Sequence, residues 1–424
     1  MNQVPRAPQA SRARTVVATL LLALLPISFA VPSKLKVVPI ALLFFYGIGL
    51  LIADRDVRAN YRAARPVVLV CALSLLYAIG NILGHRLGWS ELDLPSHILA
   101  FLAIAAVFGR SVHVRWFWLG LSLGAAALGL VCIYQHYIQG APRASGLDGA
   151  DWGVIELAMF MLVLSLSAVV QMLRPQLAWP ERVLHAACAI LGSFGALLTQ
   201  SRGPLLACAP VFLLVVLLHV VRTKQWRDGL VVLGGALAIA TVSVVFLRSE
   251  ILERFNAIGQ EVTTFHAQDT QGAVRERLEM WRVAGRAFME HPVAGVGIDQ
   301  FGKYTQTLVS KGLASESIAK YTHPHSEYLE AAVSGGVPGL IVLLLLFGVP
   351  MVFFARRVFD PCDTVATAAT VGLLTVSMYA LCGLTDNVLY RPMPHSLFFF
   401  LTLGMAVLAS RLQRERSLRE IAAP

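Results

Sequence analysis

Apolar runs of about twenty residues recur along almost the whole chain, and they constrain its fold more than any other feature. A helix needs about 20 mostly apolar residues to cross the roughly 30 Å hydrocarbon layer of a bilayer. Of the 424 residues, 57% are hydrophobic and only 14% are charged, whereas about 25% of the residues in a soluble domain are charged. The sequence therefore predicts an all-α, polytopic membrane protein and excludes a soluble one.

Polar residues divide the apolar sequence into about twelve candidate transmembrane helices. The predicted spans are 15–32, 36–53, 66–84, 95–109, 114–137, 152–172, 182–200, 204–221, 229–247, 326–354, 364–383 and 394–411. The segment 248–325 is too polar to span and too long for an ordinary connection. We therefore expect spans one to nine over 1–247, a long loop over 248–325, spans ten to twelve over 326–411, and a tail over 412–424.

The distribution of Lys and Arg predicts the orientation in the membrane. The net charge of +10 comes from residues in short loops, which is typical of membrane orientation and argues against nucleic-acid binding. Counted on alternate sides of the spans, 20 of the 35 Lys and Arg residues lie on one side, 6 lie in the short loops opposite, and 9 lie in the long loop. Because Lys and Arg are enriched in cytoplasmic loops, we expect both termini in the cytoplasm of a bacterium and the protein in its inner membrane. The long loop is then periplasmic, together with Arg143, Arg202 and Arg391.

The long loop is predicted to contain an amphipathic helix over Ala273 to Glu290. At about 100° per residue, the apolar positions 274, 278, 281, 285 and 288 lie within an arc of roughly 80°. Arg275, Arg282 and Arg286 lie about 100° from the centre of that arc, as a stripe that faces solvent or lipid headgroups does.

Arg277 differs from these three arginines because it lies on the flank of the apolar arc, where its guanidinium is expected to face protein. An unpaired buried charge is costly, so Arg277 needs an anionic partner or contact with water. The alternatives are a salt bridge to Glu330 or another acid, a side chain that reaches water, and a contact with a substrate phosphate.

Arg202 lies just before the eighth predicted span, where Ser201 can cap the helix and Pro204 can occupy its first turn. A helix N-terminus has free N–H groups and a positive dipole end, and an adjacent arginine adds a bidentate phosphate ligand. The pattern predicts an anion site at the outer membrane boundary. An anchor in the membrane interface is the alternative.

His325 is predicted to lie in the first turn of span ten, with Glu327 near the positive end of that helix. A neutral histidine can act as a general base near pH 7. The alternatives are a capping or interfacial histidine and a metal ligand. A zinc site would need ligands beyond His323 and His325, and no acid pair comparable to the predicted cytoplasmic Asp54-Arg55-Asp56 stands beside them. We therefore expect chemistry without a metal or another cofactor.

Four motifs in this order resemble those of the O-antigen ligase and polymerase superfamily. They are Thr199-Gln200-Ser201-Arg202-Gly203, Arg277-Leu278-Glu279-Met280-Trp281, His291-Pro292-Val293-Ala294-Gly295-Val296-Gly297, and His325-Ser326-Glu327-Tyr328-Leu329 followed by Gly335-Gly336-Val337-Pro338-Gly339. The resemblance runs from about residue 199 to 340, with a matching layout of spans elsewhere. The chain departs from the pattern at Ser326, where the family usually has Asn, and after Arg143-Ala144-Ser145-Gly146, where an Asn that often follows is missing.

The resemblance implies a membrane-type, GT-C-like glycosyltransferase that needs no metal. Such enzymes transfer a glycan from undecaprenyl pyrophosphate to a periplasmic acceptor, which in the ligases is the lipid A core oligosaccharide. The implied partners are this donor, this acceptor and membrane lipids. By this resemblance Arg202 and Arg277 bind the pyrophosphate, and His325 removes the proton of the acceptor hydroxyl so that the anomeric centre inverts. Four further residues are weaker candidates for the same site and are called the residues of second rank: Arg143, Ser201, Glu327 and Arg391.

Two other classes of function stay open. O-antigen polymerases and protein O-glycosyltransferases use the same donor, so a phosphate site cannot separate them from ligases. We favour a ligase because the C-terminal tail is short and the sequence shows no large additional periplasmic domain. A lipid-linked glycan flippase or an anion transporter would have polar residues deep within several spans and cytoplasmic counterparts of the outer arginines, and the sequence shows neither clearly. An inverted pair of broken helices, typical of secondary transporters, is also not seen.

Overall fold

The computed structural model describes residues 9–28, 33–110, 112–147, 153–246 and 273–422, and within these ranges it contains helices and no β-strand. The α-helices are α1 (Gln9–Ser28), α2 (Ser33–Ala53), α3 (Arg55–Ala63), α4 (Arg65–His85), α5 (Asp93–Phe108), α6 (Val114–Tyr137), α7 (Val154–Met172), α8 (Trp179–Leu198), α9 (Arg202–Thr223), α10 (Trp226–Phe246), α11 (Ala273–Glu290), α12 (Phe301–Ser310), α13 (Glu327–Ala355), α14 (Asp363–Cys382) and α15 (Pro392–Ala422). Short 3₁₀ turns lie at Trp89–Leu92 and Glu316–Ile318.

Nine helices in the described ranges are long and apolar enough to cross a membrane. The number becomes ten if α2 and α3, which meet at an angle of 98°, form one broken span. The first predicted span corresponds to the shorter apolar helix Thr15–Ser28, and the ninth to α10, some of whose side chains lie outside the described part. The predicted all-α, multi-pass fold is confirmed, but the predicted number of twelve spans is not.

The centre of the bundle is formed by α7, α14 and α15, which are the most enclosed of the spanning helices. The helix α15 packs against α5 and α14, and α7 packs against α6, α8, α9 and α14. Small residues allow the closest approaches. A Cβ on Gly129 of α6 would lie 2.2 Å from the carbonyl oxygen of Leu191 in α8, which is the kind of small-residue contact that membrane helices use to pack.

The helix α13 is broken at Gly335 and Gly336, whose backbone angles are not helical. A Cβ on Gly335 would overlap the hydroxyl oxygen of Tyr77 in α4 at 1.6 Å, and Gly336 has a φ of +60°. Both positions therefore require glycine, one for space and one for backbone conformation. The break leaves backbone groups of α13 available to a neighbouring segment.

The turn over residues 292–297, directly after α11, occupies this break. Three backbone hydrogen bonds join the two segments, from Val296 N to Val333 O at 2.8 Å, from Gly297 N to Ser334 O at 3.1 Å, and from Val337 N to Pro292 O at 2.7 Å. The turn follows the end of α11 at Glu290, and Gly295 and Gly297 within it both have positive φ. Two of the four sequence motifs thus form a single interface.

Gly295→Ala is expected to destabilise this interface. Gly295 has a φ of +68°, and a Cβ there would lie 2.4 Å from backbone atoms of residues 333–335. A left-handed residue other than glycine costs about 1–2 kcal/mol, and the overlap adds to this cost by forcing the turn away from α13. The melting temperature of the purified protein in detergent measures the effect. Gly312→Ala is the matched control, because Gly312 has the same φ of +68° and no neighbouring atom within 4 Å; equal losses in the two variants would contradict the explanation.

Candidate functional site

The helix α11 lies across the beginning of α13 and buries a different face from the one that the sequence predicted. Its buried residues are Met280, Val283, Ala284 and Ala287. Leu278, at one edge of the predicted apolar arc, is 48% exposed, and the buried residues lie outside that arc, so the predicted face was wrong. Two alanines supply half of the buried face, and small side chains contribute little to a hydrophobic pattern.

The arginines of α11 nevertheless divide, as expected, into exposed ones and one that is half-buried. Arg282 and Arg286 are exposed and pair with Glu279 and Glu290 of the same helix. Arg277 lies between the predicted face and the observed one and is half-buried. Charge pairs on an exposed helix face contribute little, so Arg282 and Arg286 are surface residues and Arg277 is the arginine with a position inside the site.

Arg277 approaches Asp386, whose pKa it helps to lower. One helical turn further on, the Trp281 indole donates a hydrogen bond to the carbonyl oxygen of Pro324 at 3.1 Å and fixes this face of α11 to the segment that carries His325. The Arg277 guanidinium makes no hydrogen bond or close ion pair among the described residues. Its hydrogen-bond donors therefore have no protein partner in that part of the chain.

His325 precedes α13 and does not lie in its first turn, which corrects the prediction. Its φ of +51° is left-handed, Ser326 occupies the N-cap position, and the helix begins at Glu327. The backbone N–H of Ser326 donates to Asn387 Oδ1 at 2.9 Å, and that of Glu327 donates to the carbonyl oxygen of Gly383 at 2.8 Å. An amide side chain thus contacts the position where the family usually has Asn, and it comes from the loop between α14 and α15.

Asp386 is the residue that the sequence did not reveal. It lies in the loop between α14 and α15, is 3% exposed, and places Oδ1 3.0 Å from His325 Nδ1. Burial opposes its ionisation, but the hydrogen bond and charge of His325, the N–H of Asn387 and the charge of Arg277 hold its pKa below the ordinary value. One feature of the sequence could have indicated Asp386: it lies in the loop between the last two predicted spans, on the same predicted side of the membrane as His325.

The ionised Asp386 carboxylate determines which nitrogen of His325 carries the proton. A carboxylate can only accept hydrogen bonds, so Nδ1 must be the donor, and in the neutral form of the ring Nε2 keeps its lone pair. A histidine that is held by a carboxylate in this way is oriented and ready to accept a proton from a substrate. The pair has the geometry of a general base.

His323 and Tyr390 extend the cluster around His325. The His323 ring lies 4.6 Å from that of His325 and 4.5 Å from that of Tyr390, measured between centroids. Burial and the charge of His325 lower the pKa of His323 to about 4, against the opposite effect of Asp386, so His323 is neutral near pH 7.

His323, His325 and Asp386 together offer three metal-ligand atoms within 4.8 Å of one another. The sequence showed no acid pair beside the histidines, and the structure brings a single aspartate there from 61 residues further along the chain. Three protein ligands are the number that a catalytic zinc site has. Two of these atoms, His325 Nδ1 and Asp386 Oδ1, already form a hydrogen bond with each other. In this arrangement Asp386 orients His325, and His323 is a neutral neighbour.

The helix α9 begins at Arg202, next to the Asp386 loop. A Cβ on Gly203 would lie 2.8 Å from Thr385 Oγ1, so the start of α9 contacts the residue before Asp386. Arg202 is exposed and has no hydrogen bond or ion pair among the described residues. Ser201 occupies the N-cap position, as predicted, but it does not cap the helix, because its hydroxyl donates to the carbonyl oxygen of Val154 at 3.2 Å. The first-turn N–H groups of α9 therefore have no side-chain cap, a feature of anion sites.

The residues of second rank divide into two groups. Arg143 donates from Nε to the carbonyl oxygen of Thr199 at 3.0 Å, which places it beside the start of α9. Arg391 instead pairs with Glu156 at 2.9 Å, and Glu327 accepts a hydrogen bond from Leu389 N at 3.0 Å. Arg143 extends the cationic surface formed by Arg202 and Arg277, whereas Arg391 and Glu327 stabilise the loop between α14 and α15.

Comparison with known proteins agrees with the motifs. A family model described as O-antigen ligase matches residues 187–344. An uncharacterised protein of Haemophilus influenzae (strain ATCC 51907 / DSM 11121 / KW20 / Rd) is 21% identical over 287 residues, which make up 65% of this chain and 69% of that protein. The family match includes Arg202, Arg277 and His325, and it supports a ligase- or polymerase-type function, glycosyltransferase-like chemistry and a lipid-linked glycan as substrate. The match over residues 187–344 thus supports the recognition of the O-antigen ligase family that the order of the motifs predicted.

Proposed function

We propose that this protein is an O-antigen ligase of a bacterial inner membrane. It transfers a glycan from undecaprenyl pyrophosphate to the lipid A core oligosaccharide in the periplasm, with both termini in the cytoplasm. The observation that carries the proposal is the His325–Asp386 pair at 3.0 Å, next to arginines that have no anionic partner at bonding distance among the described residues. A proton acceptor beside an anion site is what transfer from a pyrophosphate to a hydroxyl requires.

The base acts on the acceptor. His325 Nε2 takes the proton of the acceptor hydroxyl while the oxygen attacks the anomeric carbon of the donor glycan. The bond from that carbon to the pyrophosphate oxygen breaks, and undecaprenyl pyrophosphate leaves with the electron pair. The His325 imidazolium is stabilised by the Asp386 carboxylate, which its Nδ1 already contacts. Attack on the face opposite the leaving group inverts the anomeric centre.

The arginines act on the leaving group. As the bond breaks, negative charge grows on the pyrophosphate oxygens, and fixed cations beside them lower the energy of the transition state. Arg202 and the first turn of α9, with Arg143 beside them, and Arg277 of α11 supply these cations next to the loop that contains Thr385 and Asp386. Because these groups supply positive charge and hydrogen-bond donors directly, the proposed reaction is metal-independent.

The test combines the purified full-length protein in detergent with an undecaprenyl-pyrophosphate-linked glycan and with lipid A–core isolated from a strain that lacks the gene. We expect the core to gain the glycan and to appear as a slower band on a gel. Donor that is consumed only by joining to a second donor would show a polymerase, and the deletion strain would then carry single-unit caps on its core. No consumption of donor with either acceptor would overturn the proposal and favour a flippase or transporter.

A further inference from the structure

A cavity of about 490 Å³ lies beside the His325 cluster, between α4, α5, α13 and α15. It shares Asn387 and Tyr390 with that cluster, whereas Arg143, Arg202 and Arg277 are not among its lining residues. Its volume is within the range of small-molecule sites, about 300–1,000 Å³. The cavity is therefore a second compartment next to the base, separate from the cationic surface.

The titratable groups of this cavity are mainly carboxyl groups, whereas those of the arginine surface are basic. Five carboxyl groups line it, from Glu91, Asp93, Asp299, Glu327 and Glu330. Among the described residues that line it, Arg391 is the one Lys or Arg, and it is paired with Glu156. Burial, together with the charge of Glu91, raises the pKa of Asp299, as expected where acids are close to one another. Acids that are buried close to one another disfavour a further negative group such as a phosphate, whereas an uncharged or amino-bearing group adds no negative charge.

Polar atoms in the wall lack partners among the described residues. The Nδ2 of Asn387, the Nδ1 of His395 and the Oε2 of Glu330 are buried without a hydrogen bond in that part of the chain. Asn387 and His395 are only 1% and 6% exposed. Buried polar groups are rarely left without a partner. A hydroxyl group, which both donates and accepts, can satisfy all three kinds of atom.

Aromatic residues complete the wall and connect it to the base. Tyr77, Tyr390 and Phe399 line the cavity and offer apolar surface for the carbon face of a sugar ring. The Tyr390 ring contacts the His323 ring, which in turn contacts the His325 ring. Only the His323 ring therefore separates a sugar held against Tyr390 from His325.

We propose that this cavity binds the accepting sugar and favours an uncharged or amino-bearing sugar over a phosphorylated one. The inference rests on the proposed transferase function, and it assigns the two substrates to two different surfaces, one basic and one lined with carboxyl groups. The pyrophosphate of the donor contacts the arginines, and the hydroxyls of the acceptor contact the acidic cavity. His325 lies between the two surfaces, where one hydroxyl of the acceptor meets the anomeric carbon of the donor.

The first experiment separates the KM of the acceptor from that of the donor in the full-length protein. Glu330→Gln keeps the oxygen that accepts from Ser334, and Asn387→Asp keeps an oxygen for the N–H of Ser326, so both variants preserve the internal contacts. We expect the KM for lipid A–core to rise about tenfold in each, as for the loss of one good hydrogen bond, while the KM of the donor stays the same. Glu316→Gln, which has the same charge change as Glu330→Gln but lies at an exposed position of the long loop, is the control and should change neither KM.

A second experiment tests the charge preference and stands apart from transfer. Binding of lipid A–core to the protein without donor should weaken in Glu330→Gln, and Asp299→Asn should improve binding of a core whose terminal sugar carries a phosphate. A rise in the donor KM with an unchanged acceptor KM would overturn the assignment, and so would unchanged binding of both cores in both variants. Absence of transfer by the wild-type protein, with core binding that still depends on Glu330, would refute the proposed function but not the cavity as a sugar site.

Discussion

His325→Ala is expected to lower the rate of glycan transfer by about 10²–10⁴-fold, the usual contribution of a positioned general base. The variant loses Nε2, the atom that accepts the proton, but keeps the arginines that contact the donor. Asp386→Asn is expected to cause a smaller loss, because it keeps the shape of the side chain but no longer favours the proton on Nδ1 or stabilises the imidazolium. Initial rates at saturating donor and acceptor, with purified protein of unchanged melting temperature, measure both effects.

His291→Ala is the matched control for this prediction. His291 is an exposed histidine directly after α11, outside the His325 cluster, and its loss should leave the rate nearly unchanged. A His325→Ala variant that folds and keeps more than about a tenth of the wild-type rate would remove His325 from the role of base, because general-base catalysis contributes at least about 10²-fold.

Arg202→Gln and Arg277→Gln are each expected to lower transfer by about 10²–10³-fold, the cost of removing one group that stabilises a developing negative charge. Neither guanidinium has a hydrogen-bonding partner among the described residues, so the loss reports on the substrate more than on the fold. Arg→Lys at the same positions should restore only part of the rate, because an ammonium group cannot bind two phosphate oxygens in the bidentate geometry of a guanidinium. The assay is donor consumption at fixed acceptor.

Arg286→Gln provides the comparison for Arg277→Gln on the same helix. Arg286 is exposed and pairs with Glu290, so its removal should change the rate less than twofold, in line with the small contribution of exposed ion pairs. Equal losses in the two variants would mean that α11 contributes through its net charge. A loss confined to the acceptor KM would place Arg277 against the other substrate.

Hydropathy and the distribution of Lys and Arg were enough to predict an all-helical membrane protein, but not the number of its spans. The second predicted span continues into α3 after a bend of 98°. Asp54 caps α3 by accepting hydrogen bonds from the N–H groups of Asp56 and Val57, which is a local polar interaction inside an otherwise apolar layout. A window of hydropathy does not detect such a bend, because it averages over about twenty residues.

At the candidate site, local sequence patterns likewise indicate some residues and miss another. Arg202, Arg277 and His325 could be predicted as site residues because each lies in a short motif. Asp386 was missed because its connection to His325 spans 61 residues and no local pattern marks it. Arg277 was correctly placed against protein although the predicted apolar face was wrong, since its position on α11 borders both the predicted face and the observed one.

The break in α13 has a mechanical consequence. The eight residues from Glu327 to Ser334 are held from outside their own helix, by the turn over 292–297 and by the loop that contains Gly383 and Asn387. The remainder of α13, from Pro338 onward, lies beyond these contacts, so its tilt can adjust to the thickness of the surrounding lipid about the glycine pair. We therefore expect the distance between His325 and Arg277 to depend little on bilayer thickness, so that the reacting groups keep their alignment in membranes of different composition.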